Sequence, residues 1–227
     1  MTSLLIVGSE GKMGKTLIEM ISQNSNLKFQ GVDVVSGSRK IEEILPQSVD
    51  VVIDFSSPKN FSQVCLWCKT NNKPLISGTT GVTEENKKSL KELSQTQACL
   101  WSANMSLGVN VLNELIKKLN LLGPDFDFQI EEFHHKHKKD QPSGTALFLQ
   151  ETLLSCVKTP IPSPLSIRAG GVFGVHKIHG ISEEEWITLE HKALNRGVFA
   201  RGALRAASWI VGKKPGLYNF SDVLGLN

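Results

Sequence analysis

Apolar residues follow two different rhythms along this chain. Through the first hundred residues, short unbroken apolar runs alternate with amphipathic stretches. The runs are Leu4-Leu5-Ile6-Val7, Leu27 to Val32, Val49 to Phe55, Leu75-Ile76-Ser77 and Ala98 to Trp101. Apart from Leu27 to Val32, where Lys28 and Gln30 interrupt the apolar residues, runs this short predict strands covered on both faces. Between them, residues from Lys15 onward, Pro58 to Thr70 and residues from Thr83 onward carry helical spacing, with a serine cap and Pro58 in the first turn of the second helix. Strands alternating with helices predict a parallel, doubly wound sheet.

Beyond residue 105 the rhythm changes. A helix is expected up to about Leu121, and then Phe126, Phe128 and Ile130 alternate with polar residues, as in a strand with one solvated face. A strand over Asp127 to Phe133, a helix from Thr145 to about Leu154 and a proline-rich linker over 159–164 follow. Three more strands are expected at Ser166 to Arg168, Val175 to Ile181 and Trp186 to His191, then a helix from Val198 to Val211 stopped by Gly212. Sheet with helices on one side predicts a second, smaller α+β domain with a mixed sheet.

Each apolar run of the first part ends in a loop of distinctive composition. Gly8, Gly11 and Gly14 follow the first strand and open a helix, the context in which a glycine turn holds a dinucleotide pyrophosphate. Their spacing departs from the usual dinucleotide pattern by one residue, so a plain tight turn reads equally well from these glycines alone. Asp33 ends the second strand, placed for ribose hydroxyls, while Arg39 nearby suits a 2′-phosphate. Both NADH and NADPH are therefore compatible with the residues. Asp54 to Ser57 and Gly78 to Gly81 end two further strands, so four loops converge on the sheet edge where ligands gather.

Composition narrows the function class. The 227 residues are 40% hydrophobic and 21% charged with a formal net charge of +3, ordinary for a soluble protein and too weak to imply a nucleic-acid partner. No apolar run is long enough to span a bilayer, and the chain enters its first strand without a basic leader, so a cytoplasmic location is expected. Cys65 and Cys68 share one face of a helix beside Phe61 and Leu66 with no second cysteine pair, which reads as buried thiols.

The chemistry concentrates between Glu132 and Ala146. Of six histidines, His134, His135 and His137 fall here, interleaved with Lys136, Lys138 and Lys139 and followed by Pro142, Ser143, Gly144 and Thr145 at a helix start. Imidazole exchanges protons near neutral pH, and free N–H groups at the helix start, capped by Ser143 or Thr145, attract anions. An anionic small molecule protonated by this loop is the reading that follows. A zinc site from His134, His135, His137 and a cysteine is the rival; adjacent residues on an extended segment point to opposite faces, which argues against it. A DNA-contacting redox sensor is the other rival, and it predicts salt-dependent duplex binding.

The order Glu132-x-His134-His135-x-x-Lys138-x-Asp140-x-Pro142-Ser143-Gly144-Thr145-Ala146 resembles the signature of the dihydrodipicolinate reductase family. The likeness extends to the glycine loop, to Asp54-Phe55-Ser56 and Gly78 to Gly81, to Ser102 through Asn110, and to segments around Arg168, Gly174, His176, His191 and 199–209. One departure is the short span from Asp33 to Val49, where longer family members carry more structure.

The resemblance implies reduction of 4-hydroxy-tetrahydrodipicolinate to tetrahydrodipicolinate with NADPH or NADH, within lysine and diaminopimelate biosynthesis. It implies a dinucleotide-binding domain over 1–104 and 202–227 and a substrate-binding domain over 105–201 that builds a homotetramer. His134 would be the acid/base residue and Lys138 the proton donor. His135, Ser143, Gly144 and Thr145 would hold the dicarboxylate substrate. Cofactor contacts would come from Gly8, Gly11, Lys12, Met13, Gly14, Asp33, Arg39, Phe55, Gly78, Thr80, Ala103, Asn104 and Met105. No metal, nucleic acid or membrane is implied, and His176 and His179 read as structural. A relative reducing another cyclic imine on the same fold is the alternative.

Overall fold

The computed structural model describes residues 2–32 and 40–226, so Asp33 and Arg39 lie outside the described residues. In chain order the elements are β1 (Thr2–Val7), α1 (Lys12–Ser22), β2 (Leu27–Val32), β3 (Val51–Asp54), α2 (Pro58–Thr70), β4 (Leu75–Ser77), α3 (Glu84–Ser94) and β5 (Ala98–Trp101). There follow α4 (Leu107–Ile116), β6 (Asp127–His134), α5 (Gly144–Cys156), β7 (Leu165–Arg168), β8 (Gly174–Ile181) and β9 (Trp186–Ala193), then α6 (Gly197–Ile210), β10 (Gly216–Tyr218) and α7 (Phe220–Leu224). These pack as two units, Met1–Met105 with Phe199–Asn227, and Ser106–Val198.

In the first unit six parallel strands run in the order β10-β5-β4-β3-β1-β2. β3 is buried at every position and β1 from Leu4 onward, as strands covered on both faces must be. Helical spacing puts Leu17 and Ile21 of α1 and Phe61, Val64, Cys65 and Cys68 of α2 into the packing. Burial pushes the Cys65 thiol up to about 12 and the Cys68 thiol well above its usual value, so both stay protonated and serve as packing groups. The strand order reverses direction at β1, between β2 and β3. That reversal opens a crevice at the carboxyl ends of the strands, beside the Gly8 loop.

Two details differ from the sequence reading. Ser57 precedes α2 but makes no side-chain cap bond, while the preceding Ser56 turns back onto the Asp54 carboxylate. Gly216–Tyr218 adds a sixth strand and Asn219 opens α7 through a reciprocal capping box with Asp222. With glycine at its start and only Leu217 as an aliphatic residue, Gly216–Tyr218 offers no apolar run from which to read a strand.

The second unit is one mixed sheet in the order β7-β6-β8-β9, with β6 and β7 parallel and the other pairs antiparallel. β6 and β8 alternate buried and half-buried positions along their length, so one face is covered and the other open. The covered face meets α4 and α5 through Val109, Leu112, Ile116, Phe128, Ile130, Leu149, Leu153 and Ile178. Gly108 admits the His191 ring, since a Cβ there would come within 2.6 Å of it, and His191 Nε2 lies 3.3 Å from the Ser106 hydroxyl that caps α4. Toward one end of the covered face the apolar residues give way to a polar row, Ser166, Glu132, His176 and His191, paired rung by rung across all four strands.

Candidate active site

In the first unit the glycine turn is shaped by close backbone approach. Gly8 has φ of 84°, and a Cβ at Gly14 would fall 2.2 Å from the Gly8 carbonyl oxygen, so only glycine at 14 lets α1 start this close to β1. Gly11 is the cap residue of α1, exposed and without a side-chain cap; the first turn has no acidic residue, and Lys12 is exposed. The start of α1 thus presents backbone donors and positive charge to an anion. Phe55 lies against Gly78, where a Cβ would meet its ring at 2.2 Å. The tight glycine turn and the bare helix start, with Gly11 exposed, fit a dinucleotide pyrophosphate.

The buried Asp54 carboxylate ties the two neighbouring loops together. It accepts from the Ser56 N–H and hydroxyl, from Ser77 Oγ at 2.8 Å and from Thr79 Oγ1 at 2.7 Å. Trp101 Nε1 donates to the Thr79 carbonyl at 2.9 Å, leaving Thr80 exposed at the edge. Ala103 is exposed, and Ser102 braces the Asn104 backbone on both sides. Met105 is 1% exposed, with its carbonyl oxygen against Gly202.

In the second unit Glu132 and His134 share the covered face of β6 because strand side chains alternate. Glu132 is fully buried. Its Oε1 accepts from Arg168 Nη2 at 2.7 Å, Ser166 Oγ at 2.7 Å and the Ser143 N–H at 3.0 Å. Its Oε2 lies 2.7 Å from His134 Nδ1, out of line with the ring N–H, and 4.0 Å from His176 Nε2. Burial alone would raise the Glu132 carboxyl, but the bonds from Arg168, Ser166 and Ser143 hold it down to about 2. His134 is pushed below 6.5 by burial, with Lys138 and Arg168 reinforcing and Glu132 opposing. His176, buried and next to His134, is lowered to about 3.

Both shifts make the fold acid-sensitive. His176 takes up its proton near 6.5 when unfolded and only near about 3 when folded, so the unfolded chain holds more protons between these values. The stability of its neutral form is complete above 6.5 and is lost as pH falls toward 3. Glu132 adds a second loss as pH falls from its ordinary 4.5 through about 2. Melting temperature is expected to drop steadily from pH 7 to pH 4; a flat profile would show that His176 is not held neutral.

The loop after β6 carries the expected substrate residues. Lys138 Nζ pairs with Asp140 at 2.9 Å, and Arg168 Nη2 donates to the Asp140 carbonyl at 2.7 Å. His135 is half-buried, with Nδ1 inaccessible and its ring 6.3 Å from that of His137. Ser143 caps α5, accepting from the Ala146 N–H. The helix start is less free than the sequence suggested. The Ser143 N–H serves Glu132, and against the effect of burial Lys138, with a smaller contribution from the nearby Gly144 N–H, holds the Asp140 carboxyl below its usual value. Gly144 itself is exposed, with open space around its Cα, and Thr145 is half-buried.

His134, His135 and His137 do not converge. Among the described residues the one group of ligand-type side chains within reach of a shared ion is Glu132, His134 and His176, with donor atoms within 4.8 Å. That set does not suit a cation. Ligands of a tetrahedral zinc stand roughly 3.3 Å apart, wider than the 2.7 Å between Oε2 and Nδ1, and Arg168 already neutralises the carboxylate.

Family models for the N-terminal and C-terminal parts of dihydrodipicolinate reductase match residues 2–105 and 108–224. The chain belongs to the dihydrodipicolinate reductase family. A 4-hydroxy-tetrahydrodipicolinate reductase from Bdellovibrio bacteriovorus is 47% identical over 219 residues, 96% of this chain and 94% of that protein. Its counterpart from Thermosipho africanus is 38% identical over 219 residues, 96% of each chain. The fold is shared with the dipicolinate-bound dihydrodipicolinate reductase from Paenisporosarcina sp. TG-14, at a TM-score of 0.78 and 22% identity over 96% of this chain and 97% of that one. The residues that sequence reasoning left out of the site are Glu132, Ser166, Arg168 and His176. Their signal was polar identity at inward positions of alternating strands, where apolar residues are the rule.

Proposed function

We infer that this member of the family reduces 4-hydroxy-tetrahydrodipicolinate to tetrahydrodipicolinate, with release of water and net uptake of one proton. The observation that carries the reading is the signature segment itself. Between Glu132 and Ala146 it folds into one strand, loop and helix start that hold an imidazole at His134 and an ammonium at Lys138, beside the exposed Gly144. The relatives named for this reaction match over nearly their whole length.

A bound nicotinamide dinucleotide supplies the hydride. The chain's own residues do the rest. In the first unit, Gly8, Gly11, Lys12, Met13 and Gly14 would receive the pyrophosphate, while Phe55, Gly78, Thr80, Ala103 and Asn104 would line the nicotinamide side. In the second unit, Lys138 Nζ leaves Asp140 to deliver the one proton taken up, where negative charge develops on the acceptor. His134 through Nε2 moves the proton that leaves a ring carbon to the departing hydroxyl, which is released as water. His135, Ser143, Gly144 and Thr145 orient the carboxylates, one of which takes the place of Asp140 on the Gly144 N–H. The two domains thus divide cofactor and substrate binding.

NADPH and NADH are both compatible with this edge. The open face of the second unit's sheet exposes Trp186 (66%), Leu165 (56%) and Ile167 (36%), an apolar set suited to a second copy and to a homotetramer. Among the described residues no helix is long and apolar enough to cross a membrane, and a cytoplasmic tetramer fits a biosynthetic role. The test is loss of dinucleotide absorbance with freshly generated substrate, first with NADPH and then with NADH. Rapid oxidation with either supports the reading and ranks the cofactors. Binding without oxidation, or oxidation only with other cyclic imines, overturns the substrate assignment.

A further inference from the structure

We propose that Glu132 is a positioning residue for His134, fixing the imidazole as the Nδ1–H tautomer so that Nε2 is the atom that exchanges protons. This rests on the reading of His134 as the acid/base group. Glu132 Oε1 is saturated by Arg168, Ser166 and the Ser143 N–H, two of which can only donate. Oε2 is left facing His134 Nδ1 at 2.7 Å inside a site closed to water. If Nδ1 carried a lone pair, two acceptors would oppose each other at that distance, a costly arrangement for buried groups. A proton on Nδ1 turns the repulsion into a charge-assisted attraction. The tautomer is therefore chosen by the carboxylate.

The opposite edge of the ring has been kept clear. His134 Nε2 faces Gly174 on β8, where a Cβ would stand 3.1 Å away, so glycine there leaves room at the working nitrogen. Arg168 completes the arrangement. The same Nη2 that holds Glu132 also holds the Asp140 carbonyl, so one guanidinium fixes both the carboxylate behind His134 and the loop that carries Lys138. The titratable and charged groups around the imidazole are Glu132 on its own strand, Arg168 on β7, His176 on β8 and Lys138 on the loop, with His191 beyond His176. Of these Glu132 is the one anion, and its Oε2 stands 2.7 Å from Nδ1.

Glu132→Gln makes the sharpest variant. Arg168 and the Ser143 N–H require an oxygen at the Oε1 position, so the amide NH2 must face His134 and force its Nδ1 to accept. The tautomer then reverses. Wild-type protein labelled with 15N in histidine is expected to show His134 as Nδ1–H at neutral pH, and Glu132→Gln as Nε2–H. Turnover of Glu132→Gln is expected to fall about a hundredfold, with substrate KM and NADPH affinity within about threefold of wild type. Its pH profile should lose the limb that titrates with His134. Glu132→Asp, which keeps the charge, should restore the Nδ1–H form.

The wild-type spectrum needs no variant to fold and decides the matter by itself. An Nε2–H or mixed tautomer in the wild type overturns the proposal, as does a folded Glu132→Gln with unchanged kcat. A protein that shows the Nδ1–H tautomer but reduces no substrate would leave the positioning standing and remove the reductase reading instead.

Discussion

Lys138→Ala is expected to lower kcat at least about a hundredfold while NADPH binds with near-normal affinity. The separation follows from where the residues lie. Lys138 is on the loop after β6 in the second unit, whereas the glycine turn, Phe55 and Gly78 belong to the first. If Lys138 is the proton donor proposed above, loss of the ammonium removes an interaction made in the transition state. The fold should barely notice. The Lys138–Asp140 pair is partly exposed, and such pairs contribute about 0–1 kcal/mol; Asp140 also keeps its bond to the Gly144 N–H. Steady-state rates with a fluorescence titration of NADPH check both halves. Unchanged turnover would take Lys138 out of the mechanism.

Gly14→Val is expected to abolish dinucleotide binding. The new Cβ would lie 2.2 Å from the Gly8 carbonyl oxygen and 2.6 Å from the Ser9 backbone. Backbone atoms cannot swing aside as a flexible side chain does, so the turn between β1 and α1 must open and its N–H groups lose their common aim. Crowding of this kind costs about 1–3 kcal/mol of stability, which leaves a folded protein in which binding can be measured. A normal NADPH titration of folded Gly14→Val would contradict the assignment of this loop.

The parallel sheet was legible because its strands are buried on both faces and therefore read as unbroken apolar runs: Leu4 to Val7 and Val51 to Ile53 leave little choice. Gly14 was legible for a similar reason, since a glycine inside a helix start needs a steric cause. The shorter elements were hidden. β10 is three residues long and gains its place from pairing with β5, a partner more than a hundred positions away.

The candidate site was half visible. His134 and Lys138 stand in one dense segment, whereas Arg168 and His176 come from strands that reach Glu132 only through the register of the mixed sheet. Local spacing carries no information about that register. The helix start of α5 shows the opposite error. Its N–H groups looked free because the sequence does not reveal that Glu132 and Asp140 already occupy them.

The account stands on hydride transfer to this substrate, and the most direct measurement follows the hydrogen itself. Freshly generated 4-hydroxy-tetrahydrodipicolinate would be reduced with NADPH carrying deuterium at the transferable position, and the product examined by mass spectrometry. The account predicts tetrahydrodipicolinate bearing one deuterium, formed in step with dinucleotide oxidation and suppressed in Lys138→Ala. Dinucleotide that stays reduced, or is oxidised while the ring acquires no deuterium, would contradict it.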